Sequence, residues 1–430
     1  MEQLKIVQIT PGTGGLYCGN CLRDNALVAA LRGMGHEVLM VPLYLPLTLD
    51  EADQSAGTPL FFGGLNVFLE QKSAFFRKAP RWLHGALNSP ALLKVVAGKA
   101  VKTRPETAGG LTLSMLRGEE GRQAREVNEL AAWLKGKAEV LCLSNALLIG
   151  LARGLKREVG APLVCMLQGE DAFLDALPES LRAEAWTTLS ERAADVDLFI
   201  APSHYFAELM GKRLGIGASR IQVVPNGINL AGYSPSPGPP EPPVLGFFAR
   251  MSRDKGLDTL VQAYLLLRQR DRIKNLKLRI GGACLPIDKP FVNSARQQLQ
   301  TAGVPVHVEF FPNLDRASKQ EFFRSLSVFS VPAIYGEAFG LYLLEAWASG
   351  VPVVQPRHGA FPELLEATLG GVLCAPGDAK ALGDALEPLL ADVILARSMG
   401  QAGYKAVKED FTSARMAERM VEAFRRLTNK

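Results

Sequence analysis

Residues 333–350 of the chain read AIYGEAFGLYLLEAWASG, an apolar segment that carries two carboxylates. An apolar strand is predicted just before it, at residues 328–331, and Pro332 and a loop of small residues follow that strand. A helix is predicted to begin near Gly340 and to end at Gly350, because glycine readily adopts the backbone conformation that closes many helices. The helix is apolar on nearly all sides, which predicts that it is buried.

The two carboxylates are Glu337, in the loop, and Glu345, within the helix. The N–H groups at a helix N-terminus favour a phosphate, and Glu345 would lie about 8 Å along the axis from that end at ~1.5 Å per residue. A nucleotide-sugar has a ribose on one side of its diphosphate and a sugar on the other. Two acceptor carboxylates that flank a phosphate therefore match its two hydroxyl-rich groups. The same spacing also fits a solvated loop glutamate and a helix glutamate that bonds to nearby backbone.

The composition is that of an ordinary globular protein with two domains. The chain has 430 residues, of which 48% are hydrophobic and 21% are charged. A net charge of +5 is compatible with anionic ligands and too small to indicate nucleic-acid binding. No apolar run reaches the ~18 residues of a membrane span. Six cysteines and a first segment that enters a strand directly favour the reducing cytoplasm.

No metal site is predicted. Cys18 and Cys21 have the spacing of half a zinc site, but no second pair or nearby histidine completes it. Asp195 and Asp197 form an Asp-x-Asp pair just before a strand, with no third ligand in view, and we interpret them as part of a turn.

The chain opens with a strand at residues 5–10, a glycine loop that contains Gly14 and Gly15, a helix at 22–31 and a strand at 36–41. A glycine loop at the first turn of such a unit is the usual place for a phosphate or a substrate. An NAD site is not indicated, because Tyr17 stands where the third glycine of the dinucleotide motif is needed.

Residues 72–104 contain eight basic residues and no acidic one, interleaved with apolar and aromatic side chains. Such a segment could form an amphipathic surface for an anionic membrane, as a peripheral contact, or for an anionic acceptor. The preferred interpretation is a pair of helices that pack on the first domain with their basic faces in solvent.

The rest of the chain alternates strands with helices on both sides of a proline-rich linker at residues 235–243. This alternation predicts an α/β protein with two Rossmann-like domains that face each other across a cleft. The predicted domains are 1–232, completed by a C-terminal helix at 411–430, and 233–410. The further predicted strands are residues 140–143, 163–167, 198–201, 221–224, 244–249, 276–280, 306–310, 328–331 and 351–354.

Arg250 and Lys255 follow the first strand of the second predicted domain. Arginine presents a planar fork of donors and lysine a point charge, and at this spacing both can reach one ligand from a loop. Beside a helix N-terminus and two carboxylates, the pair is interpreted as a diphosphate clamp.

These motifs occur together in a known family. Arg250-x4-Lys255 and Glu337-x7-Glu345 are accompanied, in the family's order, by residues 224–228, 359–363 and 375–378. The chain resembles the retaining glycosyltransferases of family 4, which have the GT-B fold. The match is dense from about residue 200 to the end and thin from 45 to 135.

The resemblance implies a role for each motif residue. Glu337 would contact hydroxyls of the transferred sugar, Glu345 would hold the nucleotide ribose, and Arg250 and Lys255 would stabilise the leaving diphosphate. The donor would be a UDP-, GDP- or ADP-sugar and the acceptor a hydroxyl compound, with transfer by retention and without a metal. The other implied nucleotide contacts are Gly14, Gly15, Leu314, Phe339, Gly340 and Leu341.

One position departs from the family pattern. Gln168 stands where the family commonly has a histidine near the donor sugar, and glutamine cannot take up a proton. Glu170 or Asp171 could substitute in handling the acceptor, or could cap the next segment. Asn145 is a further candidate in this sugar and acceptor region.

Two alternatives to a transferase stay open. An epimerase or hydrolase of nucleotide-sugars on the same fold would need an acid–base set in the cleft, for which only His204, His307 and His358 are available. A catalytically silent protein that binds sugar nucleotides is suggested by Gln168.

Overall fold

The computed structural model describes residues 2–12, 19–62 and 105–428. The chain divides into two compact units, which are described separately. Unit 1 comprises Met1–Pro225 and Met416–Lys430, and unit 2 comprises Asn226–Arg415. Gly14, Gly15 and the basic segment 72–104 lie outside the described residues, so the predictions made for them stay predictions.

Unit 1 is built on a parallel sheet of six strands in the order β2-β1-β3-β4-β5-β6. The central strands are short and buried along their whole length, as parallel strands covered on both faces should be. The strands are β1 (Lys5–Pro11), β2 (Glu37–Leu43), β3 (Val140–Leu143), β4 (Leu163–Met166), β5 (Leu198–Ala201) and β6 (Ile221–Val223).

Helices cover the sheet of unit 1, and the last helix of the chain is one of them. Met416, Met420 and Phe424 recur every fourth residue on that helix, and all three are buried in one cluster with strand and helix residues that include Ile6 and Val28. The helices are α1 (Gly19–Gly33), α2 (Pro105–Arg117), α3 (Ala124–Leu134), α4 (Ala152–Val159), α5 (Glu170–Asp175), α6 (Glu179–Arg192), α7 (His204–Leu214) and, from the chain end, α15 (Ser413–Thr428).

Unit 2 repeats the architecture with a second parallel sheet of six strands, in the order β12-β11-β10-β7-β8-β9. The strands are β7 (Val244–Phe248), β8 (Lys277–Gly282), β9 (Val308–Pro312), β10 (Val328–Phe329), β11 (Val353–Pro356) and β12 (Gly371–Cys374). The helices are α8 (Leu257–Arg270), α9 (Lys289–Thr301), α10 (Arg316–Arg324), α11 (Leu341–Ala348), α12 (Phe361–Thr368), α13 (Ala379–Ala391) and α14 (Val393–Asp410).

The two-domain α/β architecture predicted from the sequence is confirmed. Strand ends differ from the prediction, since β10 is limited to two residues and β9 and β11 begin two residues later than predicted. Strand β12 was not predicted, because its four residues follow a helix closely and show no alternation of their own. Within the described part of the chain, no helix is both long enough and apolar enough to cross a membrane.

Candidate functional site

Two loops at the carboxyl edge of the unit 2 sheet form the candidate site. Strands β7 and β10 are paired neighbours, so the loops that follow them start side by side. The amide of Ile334 donates to the carbonyl of Asp254 at 3.0 Å and ties the two loops together. Side chains from both loops, and from the helix that follows β10, therefore converge at one edge of the sheet.

Gly340 lies at the point where the second loop becomes helix α11. Its backbone is left-handed, with φ 93° and ψ 72°, and a Cβ there would lie 3.2 Å from the ring of Phe361. Glycine is the residue that adopts this conformation without strain. The helix thus begins at the predicted residue. The amide of Leu343 donates to the carbonyl of Gly340 at 3.0 Å, and helix geometry leaves the amides of Leu341 and Tyr342 without a carbonyl partner in the helix.

Glu337 is held by three side-chain donors rather than by solvent. Its Oε2 accepts from Nζ of Lys255 at 2.6 Å, from the hydroxyl of Tyr342 at 3.0 Å and from that of Tyr335 at 3.1 Å. Only 14% of the side chain is exposed. The interpretation of Glu337 as a solvated loop residue is therefore wrong.

Lys255 is positively charged at every ordinary pH. Burial alone lowers the pKa of Lys255, but the charge of Glu337 and the neighbouring Tyr335 hydroxyl offset that effect, so the pKa is raised. Nζ bonds to both of these groups. Since an ammonium has three donors, one remains for a ligand.

Arg250, on the first loop, is fixed by a buried carboxylate that was not predicted from the sequence. Its Nη2 donates to Oδ1 of Asp288 at 2.9 Å, and its Nε donates to Oδ2 at 3.0 Å. The hydrogen bond to Asp288 raises the pKa of Arg250. The second terminal nitrogen, Nη1, has no bonding partner among the residues that the structure describes, and the side chain is 45% exposed. A donor is therefore available in a fixed direction.

Glu345 lies within helix α11, and its carboxylate is also hydrogen-bonded by side chains. Its Oε1 accepts from Nζ of Lys319 at 2.7 Å and from the hydroxyl of Tyr233 at 2.9 Å. The interpretation in which neighbouring backbone satisfies this carboxylate is therefore wrong. A carboxylate has two acceptor oxygens, so Oε2 can still accept from a ligand hydroxyl.

The remaining unit 2 candidates line the same edge or pack beneath it. Leu314 follows β9 and is partly buried against the core, as is Leu341. Phe339 is buried, and its ring lies 6.4 Å from that of Phe411. Their assignment as nucleotide contacts stays a prediction.

The unit 1 candidates lie after neighbouring strands β3 and β4. Oε1 of Glu170 accepts from the amide of Ala146 at 2.8 Å, and Oε2 accepts from the amide of Gln168 at 2.8 Å. Asn145 caps the next turn by accepting from the amide of Leu147 at 3.0 Å. Burial raises the pKa of Glu170 and also that of Asp171. Glu170 thus joins the two loops. A role of Gln168, Glu170, Asp171 or Asn145 toward a sugar or an acceptor stays a prediction.

The Asp-x-Asp pair has structural partners at the opposite edge of its sheet. Asp197 accepts from Nζ of Lys156 and from the amide of Leu163, both at 2.7 Å, just before β5 begins. Asp195 pairs with Arg153 at 3.3 Å. Across residues 2–12, 19–62 and 105–428, no group of three or more histidine, cysteine, aspartate or glutamate side chains could hold a metal ion.

The sequence analysis missed the side chains that hold the predicted ones: Tyr233, Asp288, Lys319, Tyr335 and Tyr342. Tyr335 and Tyr342 lie within five residues of Glu337, so their proximity could have been noticed. Tyr233, Asp288 and Lys319 are distant in sequence from their partners, and no local pattern indicates those contacts.

Family models match most of unit 2 and part of unit 1. Residues 234–406 match the model described as glycosyl transferases group 1, and residues 107–231 match glycosyltransferase family 4. Among curated relatives, a phosphatidyl-myo-inositol mannosyltransferase from Mycobacterium leprae is 32% identical over 200 residues, or 45% of this chain and 50% of the relative. A D-inositol 3-phosphate glycosyltransferase from Nocardia farcinica is 28% identical over 54% of this chain and 53% of the relative. The chain thus spans about half the length of these curated relatives.

Solved structures share the fold over nearly the whole chain. A sucrose-phosphate synthase from Thermosynechococcus elongatus has a TM-score of 0.72 and 20% identity, with 99% of each chain covered. Anabaena HepE, in complex with UDP and glucose, has a TM-score of 0.71 and 16% identity, with 99% of this chain and 100% of that chain covered. The two parallel sheets and these structures show the GT-B fold, and the matched models, one for part of unit 1 and one for most of unit 2, show that the chain belongs to the family 4-like glycosyltransferases.

Proposed function

We propose that the protein transfers a hexose from a nucleoside diphosphate sugar to a hydroxyl acceptor, with retention at the anomeric carbon and without a metal. The observation that carries the proposal is the donor set around the start of helix α11. Lys255 and Arg250 each keep a donor for an anion, while Glu337 and Glu345 lie before and after the helix start, each with one oxygen available. This arrangement suits a diphosphate with a hydroxyl-rich group on each side.

In this mechanism the acceptor oxygen bonds to the anomeric carbon on the face from which the diphosphate leaves. The electron pair of the broken carbon–oxygen bond passes to the leaving phosphate oxygen, which takes the acceptor's proton. No protein nucleophile is needed. Lys255 and Arg250 would stabilise the negative charge that builds on the leaving group, and such preorganised charge is usually the largest contribution to the rate.

The donor is proposed from the relatives' names. HepE was solved with UDP and glucose, and a Mycolicibacterium smegmatis relative is named as a GDP-mannose-dependent mannosyltransferase. UDP- and GDP-sugars are therefore the first donors to test, with ADP-sugars third. Names that contain inositol and inositol phosphate suggest the first acceptors. If the acceptor is a lipid, the basic segment 72–104 is a candidate peripheral membrane contact for a protein that we place in the cytoplasm.

The test starts with a thermal-shift panel of UDP-, GDP- and ADP-sugars and continues with turnover on inositol acceptors. We expect one nucleotide class to stabilise the protein and the product to keep the anomeric configuration of the donor by NMR, with activity unchanged in EDTA. An inverted product, or EDTA-sensitive activity restored by Mg²⁺, would refute the mechanism. Isomerised or hydrolysed donor without transfer would favour the epimerase or hydrolase alternative, and binding without turnover would favour the silent one.

Arg250→Ala tests the diphosphate clamp directly. We expect it to weaken a nucleoside diphosphate by about 1.5–3 kcal/mol, the scale of a hydrogen bond to a charged group, and to leave the nucleoside unaffected. Arg272→Ala is the matched control, because Arg272 is 73% exposed and pairs with Glu387 at 3.4 Å. Calorimetry that finds equal losses for nucleoside and diphosphate would place the phosphate elsewhere.

A further inference from the structure

Glu337 and Glu345 have the same kind of hydrogen-bond partners, although Glu337 lies in a loop and Glu345 lies in helix α11. In each, one oxygen accepts from a lysine ammonium and from at least one tyrosine hydroxyl. For Glu337 the bonded oxygen is Oε2, and for Glu345 it is Oε1. No described residue bonds to the second oxygen of either carboxylate.

The lysines alone would not fix these carboxylates in one orientation. An ammonium is a point charge on a flexible stem and can follow either oxygen of its partner. A phenol hydroxyl on a rigid ring is directional. Tyr342 lies in the first turn of helix α11, and Tyr335 lies in the loop before that helix. Their hydroxyls therefore approach Oε2 of Glu337 from two elements, at 3.0 Å for Tyr342 and 3.1 Å for Tyr335.

The tyrosines are hydrogen-bond donors at any ordinary pH. Burial raises the pKa of Tyr342, and burial followed by the charge of Glu337 raises that of Tyr335. Burial and the charge of Glu345 likewise raise the pKa of Tyr233. Since an ionised carboxylate only accepts hydrogen bonds, each phenol selects the oxygen that it binds and leaves the other one for a ligand.

We propose that Tyr335 and Tyr342 are positioning residues that turn the second oxygen of Glu337 toward the donor sugar, and that Tyr233 does the same for Glu345 and the ribose. This inference rests on the proposed function, because it takes the sugar and ribose to be bound by these carboxylates. If each tyrosine acts through the carboxylate that it binds, Tyr335 and Tyr342 affect the sugar part of the ligand and Tyr233 affects the ribose part.

Tyrosine-to-phenylalanine variants separate the two parts. Tyr233→Phe should weaken UDP or GDP and the matching nucleotide-sugar by the same factor, about 10-fold, because the ribose is common to both. Tyr342→Phe and Tyr335→Phe should leave the affinity for the free nucleotide within about twofold and lower kcat about 10-fold, without a matching change in KM. Calorimetry with the nucleotide and steady-state kinetics with the nucleotide-sugar give the two readouts.

Tyr264→Phe is the control for simple loss of a buried hydroxyl. Tyr264 is fully buried in unit 2, and its hydroxyl donates to the carbonyl of Leu276 at 3.0 Å, away from both carboxylates. This variant should lose stability but neither affinity nor kcat. If Tyr342→Phe and Tyr264→Phe change stability and kinetics alike, the role of Tyr342 is structural and the inference is wrong.

A double-mutant cycle tests whether Tyr342 acts through Glu337. In a Glu337→Gln background, Tyr342→Phe should have almost no further effect on kcat, whereas independent effects would multiply. Multiplied effects would overturn the inference. A wild-type protein that binds no UDP, GDP or ADP would refute the proposed function itself, whereas nucleotide binding that Tyr233→Phe leaves unchanged would refute only the positioning role.

Discussion

Glu170 is a buried carboxylate that has no cationic partner among the residues described. It bonds instead to the amides of Ala146 and Gln168, which follow neighbouring strands of unit 1. The two loops are therefore joined through one side chain. This bond pattern uses one acceptor on each of the two carboxyl oxygens.

Glu170→Gln should therefore destabilise the protein. The amide keeps one acceptor and turns a donor toward a backbone N–H, which we expect to cost about 1–3 kcal/mol of unfolding free energy at neutral pH. Denaturant titration measures this loss. Glu129→Gln is the control, since Glu129 forms a partly exposed ion pair with Arg125 and should change little.

The same substitution has a pH signature. Burial raises the pKa of Glu170, so the folded state binds its proton more tightly than the unfolded state does. The wild type should therefore gain unfolding free energy as the pH falls from this raised pKa toward the ordinary value of about 4.3, and the variant should lack that gain. A stability difference between the two proteins that is independent of pH would contradict this account.

The charged residues of the candidate site are paired with one another before any ligand binds. Arg250 pairs with Asp288, Lys255 with Glu337, and Lys319 with Glu345. These pairs keep the cations and carboxylates in fixed directions, so little reorganisation is needed when a charged ligand arrives. Spacing along the chain singled out four of these six residues as candidates, whereas Asp288 and Lys319 reach the site only through tertiary structure.

At the level of elements, the start of helix α11 depends on Gly340. Gly340→Ala should cost about 1–2 kcal/mol of stability, because a left-handed backbone is strained for alanine. It should also weaken nucleoside diphosphate binding, since the new Cβ would press on Phe361 at 3.2 Å and displace the first turn of the helix. Calorimetry and thermal unfolding measure the two effects.

Gly377→Ala separates backbone strain from the site. Gly377 is also left-handed, with φ 69°, but a Cβ there would meet nothing within 4 Å. The Gly377→Ala variant should lose about as much stability as Gly340→Ala and keep full affinity for the nucleoside diphosphate. Equal affinity in both variants would show that the N-terminus of α11 does not bind the phosphate.

Elements were predictable from the sequence where one signal dominates. The apolar run and Gly340 placed the start of helix α11 within a residue, because glycine and a continuous apolar stretch both indicate the boundary, whereas the helix ends at Ala348 rather than at Gly350. The ends of β9 and β11 could not be placed, since they depend on which neighbouring strand supplies hydrogen bonds. The proximity of Tyr335 and Tyr342 to Glu337 in sequence could have been noticed, but their hydrogen bonds to it depend on how the loop folds back on its own helix.

At the level of the whole chain, unit 1 needs a helix that follows unit 2 in sequence. Phe424 of helix α15 is fully buried in unit 1, together with Met416 and Met420. Phe424→Ala should cost about 3–5 kcal/mol of unfolding free energy in unit 1. Below the unfolding transition, nucleotide binding by unit 2 should be retained.

Glu422→Ala is the matched control, since Glu422 is an exposed residue on the same helix. It should change stability by no more than about 0.5 kcal/mol. The measurement is denaturant unfolding of the full chain, followed by nucleotide calorimetry at low denaturant. If Phe424→Ala is no less stable than Glu422→Ala, then helix α15 does not support the core of unit 1.

The position of helix α15 also bears on the order in which a nascent chain can fold. Domains generally fold as units, with the N-terminal domain first as the ribosome releases it. Here the ribosome must synthesise all of unit 2 before Met416 and Phe424 can reach the core of unit 1. Unit 1 is therefore synthesised first but completed last. Until helix α15 packs, the apolar surface that this helix covers is exposed and can bind chaperones.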